Sequence, residues 1–264
     1  NGTNGTNGTD GVDGTDGTNG VDGTNGTNGT NGTHGLNGSN DPRMTAVRVP
    51  ASLAGHDRFY GVTYHESGAF YAVGQVQLAD DSDPTNDDDY AFLIAKFRPN
   101  GSLDESFGTG GFVTHNLAVG GGALEQARGV VLQSDHKIVV AGYLEHDHTA
   151  ATALARTDTD IVVIRLNTDG TLDTTFGDVG DNGVQILDLS TASRVASGAY
   201  NNGDSVWSIA LASNDKLVLH GVQRTELMDG ATRRDDTDWV LVRLNSDGTL
   251  DDTFGGDGTV TLDK

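Results

Sequence analysis

One block of thirteen residues occurs three times along the chain. It reads Lys96-Phe-Arg-Pro-Asn-Gly-Ser-Leu-Asp-Glu-Ser-Phe-Gly108, then Arg165-Leu-Asn-Thr-Asp-Gly-Thr-Leu-Asp-Thr-Thr-Phe-Gly177, then Arg243-Leu-Asn-Ser-Asp-Gly-Thr-Leu-Asp-Asp-Thr-Phe-Gly255. The leucines Leu103, Leu172 and Leu250 stand 69 and 78 residues apart. A second block precedes each copy: Gly61 to Gly74, Gly129 to Gly142, and Ser208 to Gly221. Repetition in a fixed order restricts the fold severely. Each unit is one supersecondary piece that buries its apolar face only against a neighbour.

The unit reads as four β-strands. In the second copy the spacing predicts strands over Ala127–Leu132, Lys137–Ala141, Ile161–Leu166 and Gly183–Leu187. Asn-, Asp- and Gly-rich turns separate them, as hairpins require. Ile138, Val139, Val140 and Ile161, Val162, Val163, Ile164 are unbroken apolar runs. Such runs suit strands covered on both faces. No stretch sustains a helical period. The fold class expected is all-β: three tandem four-stranded, propeller-blade-like repeats over about 57–122, 123–199 and 200–264. Fourth strands are expected at Phe112–Asn116, Val184–Leu187 and Thr259–Leu262. Trp207 and Trp239 are expected to fill the space between blades.

The motif Asp160-Ile-Val-Val-Ile-Arg165, with Asp169-Gly-Thr-Leu-Asp173 and Phe176-Gly177, resembles the delta-60 repeat of large secreted bacterial proteins. Asp238-Trp-Val-Leu-Val-Arg243 and its following block do so too. The first repeat departs, with Ala91 at the Asp position and Pro99-Asn100 in the turn. The resemblance covers residues 57–264. It implies a propeller-like fold and no particular biochemical activity. A three-blade set is small for a propeller ring, and Thr45–Val49, in the junction 41–56, reads as a surplus strand. That strand is expected to pair outside its own repeat set.

Residues 1–40 follow another rule. Glycine occupies every third position: Gly2, Gly5, Gly8, Gly11, Gly14, Gly17, Gly20, Gly23, Gly26, Gly29, Gly32, Gly35 and Gly38. Three polyproline-II chains can wind together only if every third residue lacks a side chain. A polyglycine-II bundle asks for the same period, and a flexible linker asks for none. The segment resembles the stalks of bacterial collagen-like proteins, without their proline: none occurs before Pro42. Lys and Arg are also missing there, so ion pairs between chains cannot compensate. Two other supports are calcium bridging of Asp10, Asp13, Asp16 and Asp22, and glycosylation. Asn-Gly-Thr acceptor sequons recur at Asn1, Asn4, Asn7, Asn25, Asn28 and Asn31.

The net charge of -22 excludes nucleic-acid recognition through a basic patch. Cysteine is absent, which removes disulfides and thiol chemistry. No apolar run is long enough to span a membrane. An acidic surface suits hard cations, calcium above all. The repeated acids Asp104, Asp169, Asp173, Asp247 and Asp251 are the candidate calcium ligands, since two carboxylates four residues apart around a Gly turn could share an ion. The competing reading is that they bond their own backbone turns. Lys96, Arg165 and Arg243 are expected to form ion pairs with the Asp turns. His146-Asp-His148 falls in the variable loop of the second repeat. No nucleophile elbow, phosphate loop or nucleotide fingerprint is present, so the expectation is a protein that is not an enzyme.

Three functions follow as expectations. The first is an extracellular structural protein, a subunit of a surface fibre or filament assembled as a trimer or longer homo-oligomer through residues 1–40. The second is a trimeric adhesin presenting propeller-like heads to glycan or cell surface. The third is a polysaccharide-active enzyme.

Overall fold

A computed structural model describes residues 57–78, 90–117, 124–148, 156–178, 182–190, 203–229 and 232–263. The chain divides into two units, Asn1–Arg48 and Val49–Lys264, and every described residue belongs to the second. The thirteen stalk glycines, the sequons and Thr45–Val49 lie outside the described residues.

Among the described residues, three antiparallel sheets of four strands follow one another, each an up-and-down meander. Blade 1 holds β1 (Arg58–Tyr64), β2 (Phe70–Gln77), β3 (Tyr90–Phe97) and β4 (Phe112–His115). Blade 2 holds β5 (Glu125–Leu132), β6 (Ile138–His148), β7 (Arg156–Leu166) and β8 (Val184–Leu187). Blade 3 holds β9 (Ser205–Leu211), β10 (Leu217–Asp229), β11 (Thr232–Leu244) and β12 (Thr259–Leu262). The all-β repeat architecture read from the sequence is the one observed.

The apolar runs are explained by the middle blade. Ile138, Val140, Val162 and Ile164 pack with Val73, Phe92 and Ile94 of blade 1. Their alternate neighbours Val139, Ala141, Ile161 and Val163 pack with Leu217, Leu219, Val240 and Val242 of blade 3. Successive side chains point to opposite faces of a strand. A sheet buried on both faces therefore needs apolar residues at every position. On the other face of the blade 1 sheet, Val76, Ala91 and Leu93 form a small third cluster.

Each first strand carries a bulge beside the second: between Phe59 and Gly61, between Ala127 and Gly129, and between Val206 and Ser208. The bulge pushes a first-strand carbonyl against the second strand. A Cβ on Gly74, Gly142 or Gly221 would stand 1.7, 2.1 and 2.1 Å from the carbonyl oxygens of Arg58, Gln126 and Ser205. That close approach is why each copy of the second block ends in glycine.

Three expectations need correction. The β6–β7 hairpin is longer than predicted, because pairing continues to His148 and Arg156 after the apolar run that signals a strand has ended. His146, Asp147 and His148 are consequently part of a strand, opposite Asp158, Thr157 and Arg156, and not part of a loop. The tryptophans do not fill the space between blades: Trp207 is 50% exposed and Trp239 55%. Trp207 stands at the β9 bulge with the Arg128 guanidinium 5.2 Å from its ring. Trp239 stands on the face of blade 3 directed away from blade 2.

Candidate functional site

The recurring block folds as two consecutive turns, each capped by its own Asp or Asn. In the first turn, Asp169 accepts hydrogen bonds from the Thr171 amide (3.0 Å) and hydroxyl (2.7 Å), and Asp247 does the same with Thr249 (3.1 and 2.7 Å). Asn100 serves Ser102 equivalently. These bonds, led by the Thr171 amide, hold the Asp169 carboxyl below the usual carboxylate range. Burial acts to raise Asp247, but the Thr249 bonds outweigh it.

The second acid also collects cations. Asp173 takes Thr175 on Oδ1, and both Lys137 Nζ and Arg165 Nε at 2.7 Å on Oδ2. Asp251 takes Thr253, Lys216 and Arg243 in the same way, the latter two at 2.6 Å. Burial alone would raise Asp173. The bonds from Lys137 and Thr175 and the Arg165 charge overcome this and hold it far below the usual value. For Asp251 the Lys216 bond is the largest cause of a similar depression. In blade 1 Asp104 holds Ser106, with Lys96 at 3.1 Å and Arg98 at 3.6 Å. The Ser106 bond is the main reason Asp104 is lowered. The expected ion pairs from Lys96, Arg165 and Arg243 are all formed. Among the described residues none of these five acids belongs to a cluster of three metal-ligating side chains.

The same block also joins neighbouring blades. The Gly108 amide donates to the Asp169 carbonyl, and the Gly177 amide to the Asp247 carbonyl, both at 2.8 Å. Phe107 and Phe176 are fully buried beneath the next turn. A Cβ on Gly170 would come within 3.2 Å of Phe107, and one on Gly248 within 2.7 Å of Phe176. Both glycines also sit at φ +96, so the turn requires glycine twice over. Phe254, the third copy, is only half-buried.

Two further places at the seams gather polar groups. At the blade 1–2 seam lies a cleft of about 320 Å³ lined by His65, Tyr71, Lys96, Arg98, Asp104 and His136 among others. It exists because Ala69 occupies the position of Lys137 and Lys216, and Lys96 that of the longer arginines. His65 Nε2 and His136 Nδ1 share a hydrogen bond of 3.1 Å across the seam.

At the blade 2–3 seam, ligand oxygens of Asp160, Asp188 and Asp204 all lie within 4.8 Å of one another. Asp160 comes from β7, Asp188 from just beyond β8, and Asp204 from just before β9. Asp160 and Asp204 are buried, while Asp188 is exposed and opens the group to solvent. The Asp204 amide donates to the Thr159 carbonyl at 2.5 Å. Its carboxylate Oδ2 accepts the amides of Leu189 (2.5 Å) and Ser190 (2.8 Å), tying the connection between blades to the start of blade 3. Burial pushes Asp204 up to about 7, opposed by those two amides and reinforced by the charges of Asp160 and Asp188.

In the sequence Asp160 stood out only as the first residue of the repeat motif, and Asp188 and Asp204 did not stand out. The signal was present in the repeat alignment. Ala91, Asp160 and Asp238 are equivalent, as are Asn116, Asp188 and Asp263, and Asp57, Glu125 and Asp204. Only at the blade 2–3 seam do all three positions hold an aspartate facing one another.

A family described as a domain of unknown function (DUF5122), beta-propeller, matches residues 82–107, 133–176 and 230–254. Each matched stretch ends at or beside the phenylalanine of the recurring block. The chain is thus similar to that family, as a propeller-like repeat protein. No curated protein matches the chain significantly.

Proposed function

We propose that this chain is an extracellular structural protein, a subunit of a surface fibre or filament. Residues 1–40 assemble the chains through their glycine period, as in the collagen-like stalks they resemble, and delta-60-type blades link them. One observation carries the reading. The face that blade 1 turns to blade 2, and blade 2 to blade 3, is open on blade 3 among the described residues. Phe92 and Ile161 are fully buried, and the equivalent Trp239 is 55% exposed. Leu187 is 5% exposed and the equivalent Leu262 58%. A further blade of the same type, supplied by a second copy, is the surface that fits this face. Such head-to-tail contacts build rings or filaments.

The test is the assembly state of the full chain by light scattering and negative-stain microscopy. Wild type is expected to form filaments or closed oligomers. Gly11→Ala, Gly14→Ala and Gly17→Ala together should abolish them while the blades stay folded. Unaltered oligomers in that triple variant would refute the reading. A second reading, an adhesin, is favoured by the cleft at the blade 1–2 seam, whose lysine, arginine and paired histidines suit an anionic glycan. Saturable binding of a sulfated or uronic-acid glycan, lost in Arg98→Ala, would support it.

A further inference from the structure

From the convergence of Asp160, Asp188 and Asp204 we infer that the blade 2–3 seam is a calcium site, in which the ion clamps the start of blade 3 to the third and fourth strands of blade 2. Calcium takes six to eight oxygen ligands at about 2.3–2.6 Å, so two oxygens on opposite sides of one ion stand about 5 Å apart. A mutual separation within 4.8 Å places all three carboxylates inside one such shell. The donors are all hard oxygens, with no imidazole or thiolate among them. That composition selects calcium, magnesium or manganese over the softer metals.

A second observation points to a ligand independently of the acidic residues being neighbours. Asp204 is 0% exposed, and while its Oδ2 receives two amides, its Oδ1 is buried with no hydrogen-bond partner. A buried carboxylate oxygen without a donor costs free energy unless something electropositive meets it. The hydroxyls of Thr159 and Ser190, which flank the group, are also buried without partners. Solvent reaches the site through the exposed Asp188, so an ion could enter and keep several waters. Calcium suits this arrangement better than magnesium. The three ligands come from three separate segments, and calcium tolerates irregular geometry where magnesium demands a near-ideal octahedron.

The other seam acts as an internal control. The equivalent positions there are Ala91, Asn116 and Glu125. Glu125 keeps the capping role, accepting the Leu117 amide at 2.8 Å, as Asp204 accepts Leu189. One carboxylate is enough to cap the connection, so capping does not explain the other two at the blade 2–3 seam.

The experiment follows the fluorescence of Trp207 and Trp239, the only tryptophans and both in blade 3, during thermal unfolding of the full chain. Melts are recorded with Ca²⁺, with Mg²⁺ and with EDTA. With calcium at a hundredfold excess over its dissociation constant, the blade 3 midpoint is expected to rise by about 5–10 °C. The rise should vanish in Asp188→Asn and Asp204→Asn and persist in Asp169→Asn. In Asp204→Asn the amide oxygen can still accept the Leu189 and Ser190 amides, so the fold is retained. In EDTA the two Asn variants should melt no lower than wild type, because each removes like-charge repulsion. Absence of a calcium-dependent rise, or a rise that survives in both Asn variants, would overturn the site. An equal rise with Mg²⁺ would overturn the choice of calcium.

Discussion

The two seams between the described blades share one backbone design and differ in their side chains. At the blade 2–3 seam, Gln133 donates to the carbonyls of Asp215 (3.1 Å) and Ser246 (2.8 Å), and Arg165 reaches the same Ser246 carbonyl. At the blade 1–2 seam the place of Gln133 is taken by His65, and that of Asp215 by His136. The lysine that would fill the space is Ala69. One seam is therefore closed by an amide, an arginine and a lysine, while the other leaves a cleft between histidines. The phenylalanine and the Gly amide that join the blades are the same in both. The docking frame is thus separable from the polar decoration, and the decoration is where any binding chemistry differs.

The largest effect tests the shared frame. Phe107→Ala and Phe176→Ala each remove a fully buried ring at a seam and should each cost about 3–5 kcal/mol. Phe254→Ala removes a ring that no further described blade covers and should cost no more than about 1.5 kcal/mol. Urea unfolding at dilute, monomeric concentration reads all three. Equal costs would mean that blade 3 is covered in solution as the first two blades are.

This frame was legible in the sequence. The thirteen-residue block, its Gly turns and the apolar runs gave the number of strands, the hairpin turns between them and the burial of the second repeat's central strands on both faces. The hairpin tips beyond Leu144 and Asp160 were not legible, because pairing there is carried by backbone hydrogen bonds without the apolar alternation that marks a strand. Trp239 was misread for a related reason. Its strand position is one that is buried in the other blades, and the missing factor was a neighbour, which no local pattern reports. The carboxylate group at the blade 2–3 seam was hidden differently. Asp160, Asp188 and Asp204 lie 28 and 16 residues apart in sequence, and only the blade connection brings them together.

A smaller effect separates the two seams at the lysine position. Lys137→Ala leaves Asp173 with Arg165 as its remaining cation among the described residues and should cost about 1–3 kcal/mol. Ala69→Lys, the reverse change in blade 1, should fill the cleft beside Asp104 and alter stability by about 0.5 kcal/mol or less. If Lys137→Ala were neutral, the second cation would be redundant and the blade 1 arrangement would be complete as it stands.

Acid should probe the same pairs. Asp104, Asp173 and Asp251 all have carboxyls depressed in the folded state. The unfolded chain then binds protons at a higher pH than the folded one, so their contribution is full above the unfolded value of about 3.9 and is lost as pH falls below it toward the folded values. The thermal midpoint should drop as pH falls below about 4, and Asp173→Asn with Asp251→Asn should flatten that drop while lowering the midpoint at neutral pH. A drop of unchanged steepness would place the acid sensitivity elsewhere.

A further effect joins the seams to assembly. In blade 3, Asp238 and Asp263 occupy the positions of Asp160 and Asp188, and Asp57 at the start of blade 1 occupies that of Asp204. A blade 1 docked from another copy would bring Asp57 to the other two and repeat the carboxylate group between chains. Calcium should then shift the assembly toward larger species by about tenfold in apparent affinity, equivalent to 1.4 kcal/mol, and Asp263→Asn should remove that shift while leaving the calcium-dependent melting of blade 3 intact. Sedimentation with calcium and with EDTA measures it. Assembly indifferent to calcium would mean that contacts between copies do not reproduce the blade 2–3 seam, and that the glycine period of residues 1–40 holds the chains together without help from the blades.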